Sequence, residues 1–227
     1  MNTLSPEQLE ELRQIDSPTI ANAIETFRVR DATEGYASLQ LRCMLPELPP
    51  VIGYAVTCTV DSTTPGDPGN NQLSALYRAV HDALKPAIVV MMDIGPDRTR
   101  GCHVGDVMST TFQRLGAVAV VTDGGVRDLD GVRERAAGFQ LFAAGTVVSH
   151  GVNRIVEVGP TVSIFGLQVR PGDLLHGDAN GLVSIPQTIA DRVAAEAPAV
   201  WKREAERIAF ITGDDFTLTG LIGESDD

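Results

Sequence analysis

Between residues 52 and 145 the chain alternates two kinds of segment. Short apolar runs (IGYAVTCTV, AIVVMMD, AVAVVT, QLFAAG) are separated by amphipathic stretches (QLSALYRAVHDAL, GDVMSTTFQRLG, VRDLDGVRERAAG). The runs have strand length and the stretches have helical period. Strands that are apolar almost throughout are buried on both faces. Alternation with helices therefore implies an α/β fold around a mainly parallel sheet covered on both sides. The first run also places Ile52, Tyr54, Val56, Cys58 and Val60 on one face.

The flanks read differently. Ser5-Pro6 and Ser17-Pro18 are two helix starts, with Ser as N-cap and Pro at the first helical position. Residues 28–50 have no clear period, and DSTTPGDPGNN is a turn-rich loop. VNRIVEV and TVSIFGLQV each have strand character. LLHGDANGLVSIP is a hairpin turning around Asp178-Ala179-Asn180-Gly181. QTIADRVAAEAPAVWKREAERIAF is a long helix, expected to bend near Pro198. The expected organisation is one α/β domain over residues 1–186, with residues 187–227 adding a C-terminal helix and the acidic tail GESDD to the same unit.

The formal charge of the 227-residue chain is −12, and it has no Lys/Arg-rich run. That argues against nucleic-acid binding, which needs a basic face. No apolar run is long enough to cross a membrane. The absence of a signal peptide and three unpaired cysteines, Cys43, Cys58 and Cys102, lead us to expect a cytoplasmic protein with reduced thiols.

The stretch GDVMSTTFQRLGAVAVVTDGGVRD carries the chemistry. Ligands of open α/β sheets gather beyond the carboxyl ends of strands. Asp93 ends one such strand and Asp123-Gly124-Gly125 another, so the helix starting near Gly105 should face the same crevice. The amides of Asp106, Val107 and Met108 would then form an anion cradle at a helix start. Arg127 adds a two-donor cation, and Asp128 a hard oxygen ligand for a divalent metal. Asp106 would carry a proton or hold a water. Such a set suits chemistry through an enolate, although Gly-Asp and Arg-Asp pairs are also common as a plain turn and a surface ion pair.

The spacing D-x20-R-D, formed by Asp106, Arg127 and Asp128, resembles that of the class II pyruvate aldolases of the RraA-like superfamily. These act on 4-hydroxy-4-methyl-2-oxoglutarate and 4-carboxy-4-hydroxy-2-oxoadipate. SPTIANAIE, VIGYAVTCTV, GDVM, VVTDGGVRD and VRPGDLLHGDANGLVSIP are similar to that family in the same order, from about residue 15 to residue 186. The resemblance implies a layered sandwich like the phosphohistidine swivelling domain, assembled as a homotrimer or homohexamer. It implies retro-aldol release of pyruvate with Mg2+ or Mn2+, and decarboxylation of oxaloacetate. By position, Gly105, Asp106, Val107, Met108 and Arg127 would bind the 2-oxo acid substrate, Arg127 would stabilise the enolate and Asp128 would ligate the metal. Glu204 or Glu206 would reach a neighbouring subunit's site. The superfamily also contains non-catalytic regulators that bind and inhibit a ribonuclease; these tend to lack the complete D-x20-R-D set.

The chain has only two lysines, Lys85 and Lys202. Neither lies in an apolar, pocket-like stretch, so an aldolase built on this chain should use a metal rather than a Schiff base. His81, His103, His150 and His176 lack metal-ligand spacing. His103 lies near Gly105 and could touch substrate, although a histidine there without a role fits the sequence better; His176 reads as structural. Arg98 and Arg100 follow Asp93 and could meet a distal carboxylate.

Overall fold

The computed structural model describes residues 3–66 and 69–223, so the acidic tail 224–227 lies outside the described residues. Two helices, α1 (Pro6–Arg13) and α2 (Ser17–Thr26), lead to strands β1 (Arg42–Cys43) and β2 (Val51–Asp61). The alternating unit follows as α3 (Leu73–Asp82), β3 (Ala87–Asp93), β4 (Cys102–Val104), α4 (Asp106–Arg114), β5 (Ala117–Thr122), β6 (Gly125–Val126), α5 (Leu129–Arg135), β7 (Gln140–Ala143) and β8 (Gly145–Thr146). Five further strands are β9 (Arg154–Val158), β10 (Val162–Ile164), β11 (Leu167–Val169), β12 (Leu174–Asp178) and β13 (Gly181–Ile185). The chain closes with α6 (Ala190–Thr212) and α7 (Leu218–Ile222).

The main sheet has the order β1-β7-β5-β3-β2-β12-β13, with β9 also paired to β2. Its four central strands, β7, β5, β3 and β2, are parallel. Antiparallel partners close its margins. Because the parallel strands follow one another in a single direction, right-handed crossovers put every connecting helix on one face. Leu76, Val80, Phe112 and Val132 of α3, α4 and α5 accordingly pack on Val56, Cys58, Val89, Met91 and Val120. The same face continues toward β12 and β13, where α1, α2 and α6 pack on Ile52, Tyr54, Leu174 and Val183. The opposite face is covered by the β10–β11 hairpin, whose Val162, Ile164, Leu167 and Val169 meet Val90, Val121 and Phe142.

That hairpin differs from the single strand expected for TVSIFGLQV. Ile164 pairs with Leu167, leaving Phe165 and Gly166 as a two-residue turn with φ of 46° and 90°. Positive φ at both positions suits a tight hairpin. Phe is an uncommon residue there, so the sequence offers little warning. The second helix start also shifts. Its cap is Asp16, whose Oδ1 accepts the Thr19 N–H at 2.7 Å, while Ser17 is already helical. At the first helix the Ser5 cap and its reciprocal Gln8 bond form as expected. Helix α6 runs through Pro198 without interruption.

Displacing Ser17 from the cap leaves its hydroxyl free for His176. Ser17 Oγ lies 3.0 Å from His176 Nδ1, His176 Nε2 donates to the Leu12 carbonyl at 3.2 Å, and Asp178 Oδ2 accepts the Ser17 N–H at 2.7 Å. This knot ties the N-terminal helices to β12, so His176 is structural as expected. Burial holds its proton affinity below the ordinary value of 6.5, outweighing Asp178. The unfolded chain therefore binds the proton more readily, and stability falls as pH drops below 6.5. We expect the urea midpoint to be lower at about pH 5.5 than at about pH 7.5, and the difference to shrink in His176→Gln. An equal decline in protein and variant would assign the pH dependence to other groups.

Candidate active site

Each of β3, β5 and β7 is followed at its carboxyl end by a strand of a second sheet, β4-β6-β8, which is parallel throughout. The loops after Asp93 and Asp123 face one hollow as expected, through Arg98, Thr99, Gly124 and Gly125, while the two carboxylates themselves are buried in the layer beneath this sheet. His103, fully buried in β4, places Nε2 2.7 Å from Asp93 Oδ2 and Nδ1 2.5 Å from Thr122 Oγ1. Ser62 Oγ donates to the same Asp93 oxygen, and the Asp93 N–H donates to Asp123 Oδ1 at 2.7 Å. Burial pushes the Asp93 carboxyl up, but the His103 and Ser62 bonds outweigh it and hold it below the usual range. His103 therefore holds the layer together and is not a substrate contact.

The candidate residues lie one layer farther out, where the second sheet ends. Gly105 follows β4 and caps α4; Arg127 follows β6; Asp128 caps α5. The Arg127 N–H bonds the Val104 carbonyl at 3.1 Å, and the Val147 N–H bonds the Val126 carbonyl at 3.0 Å. Parallel register thus sets the three strand ends side by side. Asp128 is left-handed (φ 57°, ψ 37°), a conformation Asp tolerates better than most residues. Its Oδ2 lies 3.2 Å from Arg127 Nε, and both side chains remain open to solvent, at 44% and 35% exposure. An ion pair this exposed adds little stability.

A hollow of about 380 Å³ is lined by Arg127, Asp128, Leu129, Thr146, Val147 and Val148. Gly105 forms a tight shoulder beside the pair: a Cβ there would come within 2.7 Å of Asp128 Oδ2 and 3.3 Å of Arg127 Cγ. Backbone conformation at Gly105 (φ −122°) would accept a side chain, so the constraint is space. We expect Gly105→Ala to shift the Asp128 carboxylate and lower turnover roughly 10-fold or more, while the melting temperature changes little. Unchanged turnover would mean the carboxylate position is not used.

Asp106 is less exposed, at 20%, and its Oδ2 accepts from Arg135 Nη1 at 2.5 Å. Its Oδ1 accepts the Val107 N–H at 2.8 Å. One of the three amides expected in the cradle is therefore satisfied by the neighbouring carboxylate. Val107 itself projects into solvent, whereas Met108 is half-buried, its sulfur 3.7 Å from Asn153 Nδ2. Behind the site, burial raises the Cys102 thiol to about 11, against the pull of Arg127, so it stays protonated at neutral pH.

Among the described residues no group of three or more His, Cys, Asp or Glu could hold a metal. A cation held mostly by protein side chains is thus a poor fit. A hard cation that takes one carboxylate and completes its shell with water and substrate oxygens does fit Asp128.

The lysine expectation needs correction. Lys85 lines an apolar hollow of about 420 Å³ with Pro6, Leu9, Val51 and Pro86, and burial lowers its proton affinity. Its ammonium donates to the Val80 carbonyl, and the hollow lies where β3 and β5 begin, at the opposite ends of those strands from the Asp128 site. Glu204 accepts from Asn22 at 3.3 Å and Glu206 faces Lys202 at 3.8 Å, both on the exposed half of α6.

Residues 17–184 match the family model described as RraA-like, Aldolase/RraA. This chain belongs to the Aldolase/RraA family. A protein of Halalkalibacterium halodurans named "Putative 4-hydroxy-4-methyl-2-oxoglutarate aldolase" is 31% identical over 186 residues, covering 81% of this chain and 83% of that protein. The fold is similar to that of Streptomyces coelicolor RraAS2, described as an unusual member of the RNase ES inhibitor RraA protein family. That TM-score is 0.69 at 22% identity, over 91% of this chain and 98% of the other. The RNA-processing inhibitor RraA of Thermus thermophilis aligns over 66% of this chain and 84% of its own, with TM-score 0.52 at 18% identity.

In this RraA-like chain, sequence reasoning missed Arg135, the partner of Asp106, together with Thr146 of β8 and Val147 just after it. A two-residue strand carries no period. The helical spacing of VRDLDGVRER does place Arg135 on α5, but only tertiary packing brings it to α4.

Proposed function

We propose that this RraA-like protein is a divalent-metal-dependent lyase that cleaves a 4-hydroxy-2-oxo di- or tricarboxylic acid and releases pyruvate. Decarboxylation of oxaloacetate would use the same enolate. The observation that carries this reading is the convergence of Gly105, Arg127 and an open Asp128 carboxylate at adjacent ends of the second sheet. The name of the 31%-identical relative supports it.

Asp128 would hold Mg2+ or Mn2+, and the ion would supply Lewis acidity toward the 2-oxo and carboxylate oxygens. Arg127 would bind the 2-oxo acid end with its planar fork and strengthen that grip as negative charge builds there. Cleavage breaks the C3–C4 bond. The C4 hydroxyl loses its proton and becomes a carbonyl, while the bonding pair passes into the 2-oxo group to give an enolate. Protonation at C3 then yields pyruvate. Asp106, oriented by Arg135, is the group suited to carry a proton at its carboxylate, through one water if needed.

Assembly as a trimer or hexamer belongs to the same reading. Trp201, Ile208, Ile211 and Phe216 are exposed on α6 and the segment after it, and would gain cover from a neighbouring copy. Glu204 or Glu206 could then reach a second subunit's site. No helix among the described residues is long and apolar enough to cross a membrane. The test is pyruvate release over a panel of 4-hydroxy-2-oxo acids and oxaloacetate, beside a ribonuclease-inhibition assay. Inhibition without pyruvate release from any acid would replace this reading with that of a ribonuclease regulator.

A further inference from the structure

A second hollow, of about 420 Å³, opens beside the first. Its lining includes Arg42, Arg98, Thr99, Asp123, Thr146 and Val147, and the last two line both hollows. Arg42 lies on β1, held at the sheet margin by its pairing with Ala143. It is exposed, and among the described residues it makes no side-chain hydrogen bond or ion pair. Arg98 lies with its guanidinium carbon 5.5 Å from the centre of the Phe165 ring and its Nη1 3.4 Å from Asp123 Oδ2. Arg100, the other arginine of that loop, lines neither hollow.

In a chain of net charge −12, two arginines in the lining of one hollow form a local reversal of the field. The acid in the lining is Asp123. One of its oxygens is occupied by the Asp93 N–H and the other faces Arg98. Arg42 is thus left with its donors uncommitted.

We propose that this hollow is the subsite for the distal carboxylate of the substrate, and that Arg42 and Arg98 select 2-oxo di-acids over 2-oxo monoacids. The inference rests on the lyase reading for the position of the other end of the substrate. Gly125 lines the second hollow and Arg127 the first. Two strand residues span about 7 Å, a reach suited to a short dicarboxylate crossing Val147. Arg127 and the metal held by Asp128 would take the 2-oxo end. The Arg42 and Arg98 forks would take the other carboxylate.

The test uses two acids that lack the 4-hydroxyl and cannot be cleaved, 2-oxoadipate and its monoacid analogue 2-oxohexanoate. Both are titrated calorimetrically with Mg2+ into the parent protein, Arg42→Ala, Arg98→Ala and the milder Arg42→Gln. We expect the di-acid to bind the parent roughly 10-fold or more tightly than the monoacid, as for a lost charged hydrogen bond. In each variant that advantage should fall to about twofold, with pyruvate affinity unchanged. Equal binding of the two acids by the parent, no binding of either, or an advantage that survives the substitutions would overturn the subsite. Failure of the lyase reading looks different: the di-acid preference and its loss would persist, but no 4-hydroxy-2-oxo acid would release pyruvate.

Discussion

Asp128→Ala is expected to remove metal binding and turnover together. Asp128 is the one carboxylate at the site with an open oxygen, because Asp106 is tied to Arg135 and to the Val107 amide. A hard cation that relies on a single protein carboxylate loses its anchor when that group goes. Mn2+ affinity should drop by more than the ~10–100-fold typical of outer-shell changes. Asp106→Ala should bind Mn2+ much as the parent does and still turn over poorly, because it lacks a proton carrier rather than a ligand. Calorimetric Mn2+ titration beside pyruvate release separates the two. If Asp106→Ala loses the metal and Asp128→Ala keeps it, the roles are reversed. Circular dichroism should show both variants folded: the Asp128 side chain is 44% exposed, but Asp106 begins a helix.

Arg127→Lys should be nearly as damaging despite keeping the charge. Lysine presents a compact ammonium on a flexible stem, and the planar fork that can hold two oxygens at once is gone. The loss should fall on kcat, on the order of 10²–10³-fold, because the donor matters most as charge develops on the enolate. Stability should change little, since the Arg127–Asp128 pair is exposed. A kcat near that of the parent would make Arg127 a surface residue, and the ion pair its whole role.

Much of this arrangement was readable in the chain. The four central strands and their helices follow from period alone, and the Asp178–Gly181 turn from its residues. The D-x20-R-D spacing has a structural cause: Asp106 opens α4, β5 runs back across the sheet, and Arg127 and Asp128 follow β6. Less was readable where local signals were weak or absent. Strands β6 and β8 have two residues each, too few for any alternation, yet they carry the site one layer beyond Asp93 and Asp123. The Phe165-Gly166 turn uses a bulky residue where Asn or Asp would have announced it. Arg42 sat in a stretch without period, and only pairing with β7 brings it to the second hollow. His103 looked available beside Gly105, but strand direction turned it inward to Asp93 and Thr122.

The central claim is that the cluster of Asp106, Arg127 and Asp128 forms a metal-dependent enolate site. Its most direct test is pyruvate release by protein stripped with EDTA, measured before and after Mg2+ or Mn2+ is restored, on the best 4-hydroxy-2-oxo acid of the panel. The account predicts negligible release from the stripped protein, recovery on adding either ion, and no recovery in Asp128→Ala. Undiminished release after exhaustive stripping would contradict it.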